Sequence, residues 1–372
     1  HAVDFIPVNE PLLDGNEKAY LAECVDTGWI SSEGPFVTAF EEGFAARVGH
    51  GHGIALTNGT DALRLAVAAL RLGPGDEVIL PTFTIISCAA AVVRAGATPV
   101  LVDCDPATWN MRPDEIAARI TERTRAIMVV HIYGLPVDMD PVLALAETHD
   151  LWIIEDAAEA IGVTYKGRAC GGLGHMGVFS FYANKHVATG EGGMVTTDDP
   201  ELAGKCRSMR NLCFGKDRFV HAELGWNMRM NNLQAALGLA QLEALDAHLE
   251  CKRRMGRRYG DLLAGLDGIR LPLARTDYAE NLYWVYGVVL DESVPFDARE
   301  AMARLRDAGV GTRPFFWPMH EQPVFREMGL FQGERHPVAE NLARRGFYLP
   351  SGLALSAAQM ERVAEAMGEL LA

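Results

Sequence analysis

Several signals that would place a chain in a broad class are missing from this one. Its 372 residues contain no uninterrupted apolar stretch of bilayer length. No basic segment followed by an apolar run opens the chain, so the expectation is a soluble, unexported protein of the cytoplasm with no membrane partner. Seven cysteines (Cys24, Cys88, Cys104, Cys170, Cys206, Cys213 and Cys251) lie scattered without a C-x-x-C pair or a His-rich partner run. That pattern argues against a metal site and for buried free thiols in a reducing compartment. Positive charge is also scarce. The 34 Lys and Arg face 49 Asp and Glu, a formal charge of −15, which repels phosphate backbones and disfavours nucleic acid as a partner. A small anion remains compatible, because a few guanidinium groups and helix N-terminal amides can make a local positive pocket in an acidic protein. There is no G-x-x-x-x-G-K-[ST] phosphate loop, internal repeat, low-complexity tract or Pro-rich linker.

What the chain does have is a regular alternation of short apolar runs and helix-period segments. Val78 to Leu80, Pro99 to Val102, Ala126 to His131, Trp152 to Glu155, Val178 to Tyr182 and Met194 to Thr197 read as buried strands. Amphipathic helices such as Asp61 to Leu72 and Met139 to His149 lie between them. This βα order predicts an α/β protein with a mostly parallel sheet covered on both faces. From Asn232 a long helical pattern runs to a break near Gly265 to Gly268. It suggests a bridge from a large region, residues 1–245, to a smaller α/β region, residues 246–372, packed tightly because no linker separates them.

Four local patterns carry chemistry, each with a plain alternative. A G-x-G-x-x-G occurs at Gly172, Gly174 and Gly177, but it precedes a strand instead of opening a helix, so a close-packed turn explains it better than a dinucleotide site. The Asn58-Gly59-Thr60 turn feeds directly into a helix, which suits a phosphate cradle and suits ordinary N-capping equally. In LWIIEDAAEA the strand ends in Glu155 and Asp156, with Glu159 three residues on. Side chains alternate along a strand, so at most one of the adjacent pair can face a pocket at the sheet's C-terminal edge. In VFSFYANKHVATGEGG a single lysine, Lys185, follows an apolar strand inside a Gly-rich loop, where burial would favour the neutral amine that forms a Schiff base.

Taken in order, the strand-end Asp156, S-F-x-x-x-K at 180–185, G-E-G-G and G-x-N-x-R-M resemble the sugar aminotransferases of the DegT/DnrJ/EryC1/StrS family. Counterparts of WISSEGP, NGTDAL, GPGDEVILPTFT, ATPVLVD, HIYGLPVDMD, GWNMRM, LQAALGLAQLE and RPFFWPMH extend the likeness over almost the whole chain. The resemblance implies a PLP-dependent transferase of fold type I, like aspartate aminotransferase, with a mostly parallel seven-stranded sheet and a smaller C-terminal domain. It implies pyridoxal 5′-phosphate on Lys185, which also moves the catalytic proton, and Asp156 paired with the pyridine nitrogen. Glu159 would lie on the phenolic-oxygen side, and Gly59, Thr60 and Ser180 would hold the phosphate. Asn227 would reach that phosphate from the neighbouring subunit of a homodimer with shared active sites. Arg229 would bind the carboxylate of the amino donor, L-glutamate. Trp29 and Ser31 of the WISSEG loop, with Arg313, Trp317 and His320, would border the keto-sugar. The implied substrate is a nucleotide-linked 4-keto-6-deoxyhexose such as GDP-4-keto-6-deoxymannose, used in cell-surface polysaccharide synthesis. A 3-keto hexose or a keto-octulosonate is the alternative, and a different PLP reaction or a catalytically silent regulator stands further off.

Three departures bear on that reading. Ile85 occupies the position where the family usually stacks an aromatic on the cofactor ring, Trp317 stands where His is usual among the most similar members, and the loop RNLCFGKDRFVHAELGWN, on the expected substrate side, differs from theirs. Some relatives replace the lysine by histidine and become dehydratases; here Lys185 is present and His186 merely follows it.

Overall fold

The computed structural model describes residues 5–372. Seven strands form the main sheet in the order His52–Leu56, Gly193–Thr197, Met176–Ser180, Trp152–Asp156, Thr124–Val130, Glu77–Pro81, Thr98–Val102. Every neighbouring pair is parallel except those made by Gly193–Thr197, which runs antiparallel to both of its partners. The interior strands are buried along nearly their whole length, as expected of a sheet with helices on both faces. One face packs against Leu63, Val67, Val92 and their neighbours. The other carries two clusters, one around Phe40, Phe44, Phe179 and Phe181, and one around Ile127, Val142 and Ile153.

The expected helix at Met139–His149 forms with those bounds, whereas the one expected at Asp61 to Leu72 runs Gly59–Ala69, because the Asn58 side chain caps it by accepting from the Asp61 amide. The strand expected at Val178 to Tyr182 lies two residues earlier, since the Phe181 amide turns to the Gly192 carbonyl. The long pattern from Asn232 is two helices, Asn232–Glu243 and Leu245–Leu263, joined at Ala244. Leu245–Leu263 packs Tyr259 and Leu263 into a separate cluster with Tyr286, Phe347 and Val363. That cluster lies under a four-stranded antiparallel sheet, Ile269–Arg270, Tyr286–Leu290, Gly346–Leu349 and Arg313–Pro314. Ile6, near the start of the chain, belongs to it too and bridges Val310, so the first described residues pack on the C-terminal region. All seven cysteines are free, and six are buried. No helix among the described residues is long and apolar enough to cross a membrane.

Candidate active site

The C-terminal ends of three adjacent strands converge on one cavity of about 360 Å³. Asp156 ends its strand opposite Val130 on one side and Val178 on the other, which places it beside Ser180 at the edge of the sheet. Alternation then separates the two adjacent carboxylates. Asp156 lines the cavity, while Glu155 points to the opposite side, where it takes His131 Nε2 at 2.9 Å and the amides of Gly171, Leu173 and Gly174. The glycine-rich segment is thus a carboxylate cap, and no helix follows it. Burial opposes the charge on Glu155, but His131 and those amides outweigh it and hold its pKa below the ordinary value.

Lys185 enters the cavity from a loop closed at both ends. Its amide donates to the Tyr182 carbonyl, and Thr189 returns to Phe181. Gly193 joins this loop to the phosphate-type turn: it pairs with both Leu56 and Ser180, and a β-carbon there would lie 2.3 Å from the Asn58 carbonyl oxygen. Asn58 sits at the start of Gly59–Ala69. Its side chain occupies the Asp61 amide and its carbonyl the Ala62 amide, leaving the Gly59 and Thr60 amides as the open donors of the helix N-terminus. Thr60 and Ser87 hydroxyls lie 2.9 Å apart, and a β-carbon on Gly59 would lie 2.8 Å from that of Ser180.

Three ionisable groups share this interior. Burial lowers the pKa of Lys185 despite the opposing pull of Glu159 and Asp156. Burial raises Asp156 against the Ala158 amide, the Cys88 thiol and Lys185. Glu159 accepts from the Tyr133 amide at 2.8 Å, and its burial lifts it to about 7. The lysine amine is therefore biased toward the neutral nucleophile.

These residues fit pyridoxal 5′-phosphate on structural grounds. Amides and hydroxyls at a helix start suit a phosphate, and a buried carboxylate with only a thiol and one amide as donors suits a protonated ring nitrogen. The structure brings together Lys185, Asp156, Glu159, Gly59, Thr60, Ser180 and Ile85. It adds Ser87, Trp284, Phe316, Tyr348 and Asn184, whose buried Oδ1 has no partner. Ser87, two residues after Ile85 in the first turn of the helix Ile86–Arg94, had no signal in the sequence beyond its hydroxyl, and Trp284 reads there only as part of an apolar run.

The remaining expected residues lie elsewhere in the chain. Arg313 lines an adjoining recess that shares Tyr182, Asn184 and Tyr348 with the cavity. Asn227 is exposed and outside it. Ser31 and Arg229 line a separate cavity, and Trp29 is exposed, its carbonyl accepting from Asn232. Trp317 is also exposed, with the Arg344 guanidinium 4.9 Å from its ring centroid. His320, expected to border the sugar, is instead buried with both ring nitrogens engaged, Nδ1 with Thr82 at 2.8 Å and Nε2 with Glu340 at 3.0 Å. It braces the strand-end segment from behind and does not line the cavity.

Comparison with known proteins agrees with this geometry. The DegT/DnrJ/EryC1/StrS aminotransferase family matches residues 11–368. A GDP-perosamine synthase of Caulobacter vibrioides is 44% identical over 368 residues, covering 98% of each chain, and that of Escherichia coli O157:H7 is 39% identical over 366 residues with the same coverage. Among solved structures, the aminotransferase TlmJ of Streptoalloteichus hindustanus superimposes with a TM-score of 0.92 at 33% identity, covering 98% of both chains. The chain belongs to the DegT/DnrJ/EryC1/StrS family and is a pyridoxal-phosphate-dependent aminotransferase.

Proposed function

We propose that this enzyme moves an amino group from L-glutamate to a GDP-linked 4-keto-6-deoxyhexose, GDP-4-keto-6-deoxymannose, for cell-surface polysaccharide synthesis. The observation that carries the reading is the half-buried Lys185 beside the buried carboxylates Asp156 and Glu159, in one cavity with a helix-start anion cradle. The sugar follows from the perosamine synthases that match this chain almost end to end. When bound, the cofactor supplies an electron sink for the carbanion formed at the donor α-carbon. The protein supplies the rest. Thr60, Ser87 and Ser180, with the helix amides, would anchor the phosphate; Asp156 would keep the ring nitrogen protonated; Glu159 would face the ring's oxygen side. Lys185 would carry the cofactor covalently and, once released, shuttle the proton at the reacting carbon. Ile85, Trp284 and Phe316 would exclude water from that transfer.

The working unit in this reading is a homodimer. Asn227 is exposed and lines no part of its own chain's cavity, as a residue serving a second copy would. The decisive experiment incubates the enzyme with L-glutamate and a panel of keto-sugars, GDP-4-keto-6-deoxymannose among them, and seeks the amino product by mass spectrometry. Product from a 3-keto sugar or a keto-octulosonate, with none from the GDP sugar, would overturn the substrate assignment.

A further inference from the structure

Three buried titratable side chains, His186, His248 and Lys252, lie next to the lysine loop but line no part of the cofactor cavity, and each is 2% exposed or less. The Lys252 ammonium has no carboxylate partner among the described residues. It donates instead to two main-chain carbonyls, that of Trp284 at 3.0 Å and that of Ser351. A buried cation held by neutral carbonyls alone is costly to keep, and burial brings its pKa down to about 7. An apolar side chain would tie a helix to its neighbours without that cost, so the two bonds themselves call for an explanation.

The first bond leads to the reactive lysine. Trp284, whose carbonyl Lys252 holds, donates its indole N–H to the Asn184 carbonyl at 2.8 Å. One turn earlier on the helix Leu245–Leu263, His248 Nδ1 lies 3.0 Å from the His186 carbonyl. A carbonyl only accepts, so His248 is the donor there. The two carbonyls that flank Lys185 are thus each taken by a side chain from beyond residue 245, one directly from this helix and one through Trp284. His248 and Lys252, four residues apart, share the helix face from which both holds are made. His186 turns its own Nδ1 to the Ile161 carbonyl at 2.8 Å, and burial, reinforced by the Lys252 charge, brings its pKa down to about 3, so that it stays neutral.

We propose that His248 and Lys252 are a positioning pair for Lys185: the helix Leu245–Leu263 fixes the lysine loop through the His186 carbonyl and the Trp284 ring through the Trp284 carbonyl, and so sets where the amine stands in the cofactor cavity. Neither residue lines that cavity, so both act through others. A reacting amine must be placed within about 1 Å, and misplacement of that size costs on the order of 10²-fold in rate. The inference rests on Lys185 as the residue that carries the cofactor.

The test adds pyridoxal 5′-phosphate to the full-length apoenzyme. The Lys185 nitrogen joins the aldehyde carbon as water leaves, borohydride at timed intervals fixes the bond, and mass spectrometry of peptides locates it. Lys252→Met keeps the apolar stem and removes both donors. His248→Phe keeps a ring and removes one, whereas His248→Asn keeps a donor in the place of Nδ1. Capture should slow about 10- to 100-fold in Lys252→Met and His248→Phe, stay within about threefold of wild type in His248→Asn, and be unchanged in Arg257→Met, which removes an exposed cation from the same helix. The glutamate half-reaction should slow in the same order with donor KM within about twofold of wild type, because the pair touches no substrate. A pair that only ties the helix down would lower Tm in both apolar variants and leave capture by the folded protein within about twofold of wild type, and that result overturns the proposal. Should an apolar variant fail to fold, His248→Gln, whose amide stands in the place of Nε2, replaces it and must capture more slowly than His248→Asn; equal rates overturn the proposal. A wild-type adduct on another lysine overturns the cofactor assignment beneath it, whereas an adduct on Lys185 with unslowed capture in the variants sinks the positioning pair alone.

Discussion

The Lys185 amine lies 3.7 Å from the centroid of the Trp284 ring, and the indole N–H of Trp284 donates at 2.8 Å to the carbonyl of Asn184, the residue before that lysine. Trp284 therefore holds the reactive amine against its face and the adjoining backbone by its N–H edge. It also connects the two sheets, because Trp284 leads into the strand Tyr286–Leu290 while Lys185 hangs from Met176–Ser180. A face of π-electrons favours the charged ammonium, whereas burial favours the neutral amine, and the net shift is toward neutral.

Borohydride reduction of the loaded enzyme should fix the cofactor on Lys185, and peptide mapping should find it there. Lys166, the obvious rival, is exposed and tied to Asp140, which keeps its pKa above the ordinary value and its amine protonated. Lys185→Ala should lower turnover on the order of 10³-fold or more, the range for removing a positioned acid–base group. Circular dichroism should show the fold intact, since the truncation opens onto a cavity already present. An adduct on Lys166 would refute the assignment.

Asp156→Asn should retain cofactor poorly and lose most of the rate. An amide cannot stabilise a protonated ring nitrogen, and the neutral side chain would leave the Cys88 thiol and the Ala158 amide with a weaker acceptor. Equilibrium dialysis of the cofactor and steady-state turnover are the measurements. Retention and turnover near wild type would remove Asp156 from its role.

How much of this was legible beforehand depended on whether one segment carried the signal. Lys185 and the strand-end carboxylates stood out because each lies at the junction of a periodic run and a polar break, where an α/β sheet places its ligands, but the pattern alone left open which of Glu155 and Asp156 faces the cavity and whether the Gly59-Thr60 turn does more than cap its helix. The antiparallel course of Gly193–Thr197 was not, since burial on both faces gives the same apolar run in either direction. Trp284 was hidden for a different reason: its cavity role depends on the small sheet packing across the large one, a long-range contact that no local pattern records. His320 shows the limit for side chains of mixed character: a histidine near polar neighbours looks alike in sequence whether it borders a pocket or, as in this chain, bonds Thr82 and Glu340.

Glu159 gives a pH-dependent test that needs no cofactor. Its folded pKa, about 7, stands above the ordinary carboxyl value of 4.5, so the folded state binds more protons than the unfolded one between those limits. Stability contributed by Glu159 is then complete below about 4.5 and is lost as pH rises to about 7. Thermal melts of the apoenzyme should show wild type losing ground to Glu159→Gln across that window and holding a constant difference above it. The glutamine carbonyl can still accept from the Tyr133 amide, so the comparison isolates the charge. A difference that does not vary with pH would show that the carboxyl titrates normally.

The shared-site dimer can be tested by mixing two inactive proteins. Lys185 lies in its own chain's cavity, whereas Asn227 is exposed outside it and is joined to Asn211 by an isolated bridge. In the proposed two-fold assembly each cavity takes its lysine from one subunit and its asparagine from the other. Lys185→Ala and Asn227→Ala homodimers would each be impaired at both sites. A mixed dimer would collect both defects in one site and leave the other with a native lysine and a native asparagine. Half of wild-type activity per mixed dimer is the expected ceiling, and statistical exchange leaves half of all dimers mixed, so recovery should approach about one quarter of the wild-type rate. Native mass spectrometry would verify exchange, and the cofactor should favour the assembled state because it completes its phosphate contacts only there. If exchange is complete and no activity returns, both residues act within one chain and the shared-site arrangement is wrong.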